Sequence, residues 1–278
     1  MLSDLGQDAK ALAGGQSLIP LMKLRFSNPA HLVDLNFISG TSYITESPAG
    51  LRIGAMTRHA EIEHSPVAAK IPIIHDCAAG IADVQIRNRG TIGGSLAEAD
   101  PSGDWATVLM TMSTEIHCVG PNGERSVVMR NFIEDAYTTA LGPDELIKEI
   151  VVKPPPRNSG GAYIAFKRSA PVYPTASAAV QLTMEDDTCK EIAIALGCVG
   201  LIAIKATEAE SALRGEPVIT GNVSRAMEAA ASAADPQPDM RGSAEYKRAL
   251  VGALVKRALE IAVRRARGEQ VEVSHIYS

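Results

Sequence analysis

The sequence predicts an α+β protein, in which a mixed amino-terminal part is followed by an antiparallel sheet and then helices. Three observations lead to this prediction. Short apolar segments of strand and helix periodicity alternate up to residue 152. Residues 154–161 (PPPRNSGG) then form a linker rich in proline and glycine. Beyond it, three strand-like segments precede three helix-like segments, which is not the pattern of a regular parallel Rossmann sheet.

The first elements follow from caps and turn residues. We predict a helix end at 2–5, strands at 9–13, 31–35, 43–45 and 51–54, and a helix at 72–82. Ser17 is expected to cap a short helix that tolerates Pro20 in its first turn. Thr57 precedes Glu61 by the spacing of a capping hydroxyl and an acidic partner, so we expect a helix to begin at Thr57.

The remaining elements follow in the same way. Asp100 is expected to cap a helix with Pro101 in its first turn. We predict a hairpin of strands 115–119 and 124–128, strands at 146–152, 162–167, 176–184 and 192–199, and helices at 207–213, 223–234 and 245–267. The last helix carries one apolar stripe and ends in a basic stretch, 264–267, that complements the helix dipole or forms a docking patch.

Composition limits the classes of function. The chain has 278 residues, of which 46% are hydrophobic but only 4% aromatic, so its core must be mostly aliphatic. A net charge of −5 argues against nucleic acid as a partner. The start lacks the features of a signal peptide, and the longest apolar run, 192–204, is too short to span a bilayer. We therefore expect a cytoplasmic protein.

Cysteine and histidine spacing predicts no metal in this chain. Its four cysteines (Cys77, Cys118, Cys189, Cys198) make no C-x-x-C pair, and its six histidines, which include His275, are scattered. Zinc and iron–sulfur sites need such ligands at close spacing. The cysteines are expected to be small buried hydrophobes in a reducing compartment.

Two glycine pairs framed by hydroxyl residues are the most informative feature. They lie at 13–18 (AGGQSL) and 91–96 (TIGGSL). Glycine turns expose successive backbone N–H groups that can bind an anion, and two of them facing one cleft would suit a diphosphate. Either pair alone is more typical of an ordinary tight turn.

The residues that flank these glycine pairs make the two motifs more specific. Residues 13–25 (AGGQSLIPLMKLR) and 89–104 (RGTIGGSLAEADPSGD) resemble the FAD-binding medium subunit of the molybdenum hydroxylases, the group that contains aerobic carbon monoxide dehydrogenase and bacterial xanthine dehydrogenase. Segments 71–89, 194–215 and 243–259 extend the resemblance through nearly the whole chain.

The resemblance implies a domain organisation. It implies an FAD-binding domain of the PCMH/vanillyl-alcohol-oxidase-like type at 1–157, with two α/β lobes at about 1–52 and 53–157. A C-terminal domain like that of the carbon monoxide dehydrogenase flavoprotein follows at 158–278. The family's opening strand and most of its first helix are expected to have no counterpart in this sequence.

The resemblance also implies a set of site residues. Both glycine segments would hold the FAD pyrophosphate, through Ala13, Gly14, Gly15, Gln16, Ser17 and Leu18, and through Thr91, Ile92, Gly93, Gly94 and Ser95. Helix capping is an equally common role for such hydroxyls. Asp104 would bind the sugar-phosphate part of FAD, or else be a carboxylate that complements a helix dipole.

Three further residues are implied at the isoalloxazine ring. Lys167 and Tyr173 would approach it, with the tyrosine shielding one face, and Ile86 would touch the other side. Packing beside Pro174 is the alternative for Tyr173, and a core position is the alternative for Ile86. Gln16 stands where the family often has histidine, and 171–172 (PV) replace the Gly-Asp that often precedes the tyrosine.

The function implied is that of an electron-transfer subunit. FAD would pass electrons from 2Fe-2S clusters to a quinone or NAD-type acceptor, while the molybdenum cofactor and the clusters lie on a large and a small partner subunit. A dimer of heterotrimers is implied, in the cytoplasm or held by partners at the inner face of the membrane. Alternatives are a self-sufficient FAD oxidoreductase and a non-enzymatic nucleotide-binding assembly module.

The oxidised substrate is left open by this resemblance. Carbon monoxide, a purine, an aldehyde and an N-heteroaromatic ring all occur as candidates, and the carbon monoxide dehydrogenase-like branch is slightly favoured.

Overall fold

The computed structural model describes residues 2–273, so His275 lies outside the described residues. Ten α-helices are present in this part of the chain: α1 (Leu2–Leu5), α2 (Leu18–Lys23), α3 (His59–Glu63), α4 (Pro72–Gly80), α5 (Val84–Arg87), α6 (Ile92–Glu98), α7 (Asp104–Leu109), α8 (Thr207–Ser211), α9 (Thr220–Ala233) and α10 (Ala244–Ala266). Short 3-10 turns occupy Gly6–Asp8, Ala68–Lys70 and Met129–Asn131.

The described residues also contain thirteen strands. They are β1 (Ala9–Leu12), β2 (His31–Asp34), β3 (Ile44–Ser47), β4 (Gly50–Gly54), β5 (Thr114–Gly120), β6 (Gly123–Val128), β7 (Ile133–Asp135), β8 (Thr138–Thr139), β9 (Leu146–Val152), β10 (Ser159–Phe166), β11 (Ala176–Glu185), β12 (Thr188–Gly197) and β13 (Ile204–Lys205). The predicted α+β class and nearly every predicted element are therefore confirmed.

The strands form two large antiparallel sheets and two small ones. The larger sheet has the order β3-β4-β9-β5-β6, and the second has the order β10-β11-β12-β13. Strands β1 and β2 pair in parallel, with Ala9 opposite His31, and β7 pairs with β8. The predicted hairpin is the β5–β6 pair, and the three strands predicted after the linker are antiparallel neighbours, as expected.

Alternation along β10 explains how the second sheet is covered on both faces. Ala162 and Ile164 belong to one hydrophobic core, which α10 covers, whereas Tyr163 belongs to the core built on α4, α7 and the five-stranded sheet. Ala179 on β11 joins Tyr163 in that second core. One face of the second sheet therefore packs in each of the two cores. The exact domain boundary near residue 157 stays a prediction.

Two predicted helix caps are wrong because the side chains bond elsewhere. Helix α3 begins two residues after Thr57, whose hydroxyl instead bonds the backbone N and O of Tyr43, at 3.1 Å each. Helix α7 begins at Asp104, whereas Asp100 accepts the N–H of Ser102 at 2.8 Å in a tight turn.

Three other local predictions also need correction. Ser17 occupies the cap position of α2, but its side chain makes no capping bond. The second glycine pair is not a loop, since Gly93 and Gly94 form the first turn of α6, where Thr91 is the cap. The linker is shorter than predicted, because Gly160 and Gly161 already lie in β10.

Candidate functional site

The first glycine pair makes a sharp turn between β1 and α2. Gly15 has φ of +76°, a left-handed conformation that favours glycine. Within the described part of the chain, the backbone N–H groups of Gly14, Gly15, Gln16 and Ser17 donate to no acceptor. Four successive free donors in one turn are suited to the oxygens of an anion.

The second glycine pair is used differently. The N–H of Gly93 donates to Ala55 O at 2.9 Å, and the N–H of Gly94 donates to Thr91 Oγ1 at 3.0 Å. A Cβ at Gly93 would lie 2.6 Å from the Cβ of Ala55, so this glycine lets α6 pack directly on the chain after β4. Thr91 therefore acts as a helix cap, the alternative raised by the sequence, and its contact with a phosphate stays a prediction.

The two glycine segments touch each other. A Cβ at Gly14 would lie 2.4 Å from Arg89 O and 2.7 Å from the Cα of Gly90. A Cβ at Gly94 would lie 3.4 Å from the Cβ of Ala13. The structure thus brings residues 13–18 and 91–95 together, and the free N–H groups of the first segment open beside the turn before α6.

Two side chains that the sequence did not indicate join these segments. Arg58 donates to Arg89 O and to Asn36 Oδ1. Asn36 in turn donates to Ala13 O at 3.0 Å. Sequence reasoning assigned the cap of α3 to Thr57, so the adjacent arginine received no role, and no motif marks Asn36.

Asp104 is more deeply buried than we expect of a residue that binds a cofactor in an open cleft. It is 6% exposed and accepts the hydroxyl of Tyr163 at 2.7 Å. Burial raises the pKa of this carboxyl, and the nearby Lys167 ammonium opposes that rise. Lys167 is itself buried and donates to Gly80 O, at the end of α4. The predicted contacts of Asp104 and Lys167 with FAD stay predictions.

Tyr173 sits at a more open position, near a carboxylate. It is 47% exposed, and Asp100 lies close enough to its phenol, and to that of Tyr137 in the segment after β7, to affect their pKa values. Burial, followed by the charge of Asp100, raises the pKa of both phenols. The contact of Tyr173 with FAD stays a prediction, as does its packing beside Pro174.

The other predicted site residues line the same region. Ile86 is half-buried in α5, and its carbonyl accepts the N–H of Gly90 at 2.7 Å. Leu18 and Ser95 are half-buried, whereas Ile92 is fully buried in the core. Ile92 thus packs beneath the second segment, and its predicted contact with FAD stays a prediction.

The described residues offer no metal centre. No group of three or more His, Cys, Asp or Glu side chains within 2–273 is placed to hold a metal ion. The four cysteines are free, and burial raises the pKa of the Cys198 thiol to about 12. No helix in this range is long and apolar enough to cross a membrane.

A touching pair of glycine segments with a run of free backbone donors is suited to binding an anion such as a phosphate or diphosphate. Comparison with known families gives the particular group. Residues 1–155 match the family described as FAD binding domain in molybdopterin dehydrogenase, and residues 161–262 match the CO dehydrogenase flavoprotein C-terminal domain. The chain therefore belongs to the FAD-binding subunits of the molybdopterin dehydrogenases and is an oxidoreductase subunit.

Individual relatives agree over most of their length. The chain is 41% identical to the carbon monoxide dehydrogenase medium chain of Afipia carboxidovorans, over 96% of this chain and 93% of the relative. It is 36% identical to the 6-hydroxypseudooxynicotine dehydrogenase complex subunit alpha of Paenarthrobacter nicotinovorans, over 99% and 94%.

Solved structures agree as well. A chain of carbon monoxide dehydrogenase from Hydrogenophaga pseudoflava superposes with a TM-score of 0.93 at 40% identity, covering 95% of this chain and 92% of that one. A chain of quinoline 2-oxidoreductase from Pseudomonas putida 86 gives 0.90 at 32% identity, with the same coverage of 95% and 92%. The chain is thus similar to medium subunits of multi-subunit enzymes.

Proposed function

We propose that this chain is the flavin relay of a molybdenum-containing dehydrogenase. FAD would take electrons from iron–sulfur clusters on a small partner subunit and pass them to a quinone or NAD-type acceptor, while substrate is oxidised on a large molybdenum subunit. The observation that carries the proposal is the run of four free N–H groups at 14–17 in a chain of this family. They would hold the diphosphate.

The protein residues supply position and electrostatics. Gln16 is exposed and Ser17 half-buried at the mouth of the turn, so their N–H groups are accessible to phosphate oxygens. Tyr173 would cover one face of the ring, with the Asp100 carboxylate near its phenol. FAD, when bound, supplies the ability to accept electrons singly and to pass them on as a pair.

The assembly and the substrate belong to the same proposal. We infer a dimer of heterotrimers in the cytoplasm, which partners could hold at the inner face of the membrane. Relatives at similar identity carry names that refer to carbon monoxide and to nicotine derivatives. The 41% identity to a carbon monoxide dehydrogenase medium chain supports that branch.

Gln16→Glu tests the proposed diphosphate site. This isosteric change adds one negative charge beside the free N–H groups without disturbing a packed side chain, because Gln16 is exposed. We expect FAD affinity to fall by about tenfold or more, since like charges near a partly desolvated site repel by more than about 1 kcal/mol. Titration of the deflavinated full chain with FAD measures it.

Gln270→Glu is the matched control, because it adds the same charge at an exposed position after α10. Its FAD affinity should equal that of the unmodified chain. Equal FAD binding in both variants would reject the first glycine segment as the diphosphate site. A chain that binds no FAD, alone or with its partners, would reject the flavin relay and favour an assembly module.

A further inference from the structure

Arg58 lies immediately before α3, and its backbone is already occupied. Its N–H donates to Glu61 Oε2 at 2.6 Å, which caps the helix. Its backbone also forms an isolated antiparallel bridge with Thr91, and the next N–H, that of His59, donates to Gly90 O at 3.1 Å. The root of the Arg58 side chain is therefore fixed against the second glycine segment.

The guanidinium of Arg58 spans the two glycine segments. One nitrogen donates to Arg89 O, directly before Gly90, and another donates to Asn36 Oδ1. The side-chain amide of Asn36 in turn donates to Ala13 O, directly before Gly14. A continuous chain of hydrogen bonds thus links the carbonyl of Ala13, in the first glycine segment, to that of Arg89, two residues before the second.

The bridge is part-buried at the Arg58–Asn36 and Asn36–Ala13 bonds and exposed at the Arg58–Arg89 bond. Asn36 is itself fixed, because both its N–H and its side-chain amide donate to Asp34 Oδ1, at 2.9 and 2.5 Å. Burial, and then the neighbouring charge of Arg89, lower the pKa of Arg58. A guanidinium keeps its charge nonetheless, and its rigid planar fork suits it to joining two fixed acceptors.

We propose that Arg58 is a positioning residue that sets the spacing between the two glycine segments, and through it the affinity of the chain for the diphosphate of FAD. The inference rests on the proposed function, because it assigns the diphosphate to the first segment. Arg58 acts through the carbonyls of Ala13 and Arg89 rather than by touching the cofactor.

The proposal separates the two ends of the cofactor. Loss of the bridge frees the carbonyl of Ala13, so the turn that carries the four free N–H groups at 14–17 is held less firmly. The predicted isoalloxazine contact, Tyr173, lies near Asp100 and takes no part in this bridge. Diphosphate binding should therefore weaken while the redox properties of bound flavin stay unchanged.

The experiment compares Arg58→Met, Arg58→Lys, Asn36→Ala and the Met–Ala double variant in the deflavinated full chain. Dissociation constants for FAD and for ADP, the reduction potential of bound FAD, and the melting temperature are measured for each. Arg214→Met is the control, since Arg214 also donates to a carbonyl, Ile192 O at 3.0 Å, and to a carboxylate, but in the C-terminal sheet region.

We expect Arg58→Met to weaken FAD and ADP binding by about tenfold, the value of one charge-assisted hydrogen bond. Arg58→Lys should recover part of the loss. Asn36→Ala should weaken binding less, and the double variant should bind no more weakly than Arg58→Met within about twofold, because residues of one network are not additive. The potential should be unchanged throughout.

Other outcomes overturn the inference. Unchanged FAD affinity in Arg58→Met, or fully additive losses in the double variant, would show that Arg58 does not set the segment spacing. A loss in Arg214→Met as large as in Arg58→Met would reduce the effect to general destabilisation. Failure of the unmodified chain to bind FAD or ADP would instead reject the proposed function, so the two failures are distinguishable.

Discussion

The guanidinium of Arg265 forms a two-pronged ion pair with the carboxylate of Asp76, at 2.6 and 2.9 Å, although the residues lie 189 positions apart. Their side chains are 7% and 2% exposed. Arg265 also donates to Gly161 O at 2.6 Å, and Asp76 accepts the N–H of Tyr163 at 3.2 Å. The pair therefore ties α10 to α4 across β10.

Asp76→Ala should lower the free energy of unfolding by about 3–5 kcal/mol, because it leaves the Arg265 charge buried without a counterion. Denaturant titration of the full chain measures it. Asp187→Ala removes the exposed partner of Arg267 and should cost less than about 1 kcal/mol. Similar losses in the two variants would contradict the importance of burial.

His59 should make the stability depend on pH. Burial, aided by Arg58 and Arg87, lowers its pKa from 6.5 to about 3, and its Nδ1 accepts Trp105 Nε1 at 3.2 Å. The unfolded chain therefore binds an extra proton between these pH values, so this contribution is complete above pH 6.5 and declines as pH falls toward 3.

His59→Gln keeps an acceptor for Trp105 but cannot titrate. Between pH 6 and 4 its unfolding free energy should fall less steeply than that of the unmodified chain, by up to about 1.4 kcal/mol per pH unit. Unfolding curves at several pH values give both slopes. Parallel slopes would mean that His59 is not the group responsible.

Gly14→Ala should separate the two glycine segments. The new Cβ would meet Arg89 O at 2.4 Å, and backbone atoms cannot yield as a flexible side chain can. We expect weaker FAD binding and a lower melting temperature. Gly221→Ala in α9 meets no atom within 4 Å and should instead stabilise the chain by about 0.4–1 kcal/mol.

Tyr163→Phe should destabilise the chain by about 1–3 kcal/mol, because Asp104 loses its 2.7 Å hydroxyl partner in a buried setting. Tyr246→Phe, at a position 44% exposed, should change the unfolding free energy by less than about 0.5 kcal/mol. Thermal and denaturant unfolding of both variants provide the comparison. Equal stabilities would show that the Tyr163 hydroxyl is dispensable.

Much of the fold is predictable from local pattern. Strand alternation in β5 and the apolar stripe of α10 predict these elements because burial on one face imposes a period on the sequence. Helix starts were less predictable. Thr57 and Asp100 are good caps by residue type, yet each finds a nearer backbone partner in the folded chain.

The candidate site also has a part that the sequence predicts and a part that it does not. The glycine pairs are visible in the sequence because their backbone requirements select the residue type. Arg58 and Asn36 are not, since their roles depend on contacts between segments that only tertiary folding brings together. For the same reason, the sequence predicts Arg265 only as part of the basic stretch 264–267, although the residue is buried and paired with Asp76.

Strands β10 and β11 belong to a sheet that packs in both hydrophobic cores, and this has a consequence for synthesis on the ribosome. The core beneath the glycine segments includes Tyr163 and Ala179. Its buried Asp76 pairs with Arg265, which lies near the carboxy-terminal end of the chain and is synthesised late. The nascent FAD-binding half therefore emerges with apolar surface and a carboxylate still uncovered. It completes its packing only when the last helix has left the exit tunnel, so cofactor capture should follow translation rather than accompany it.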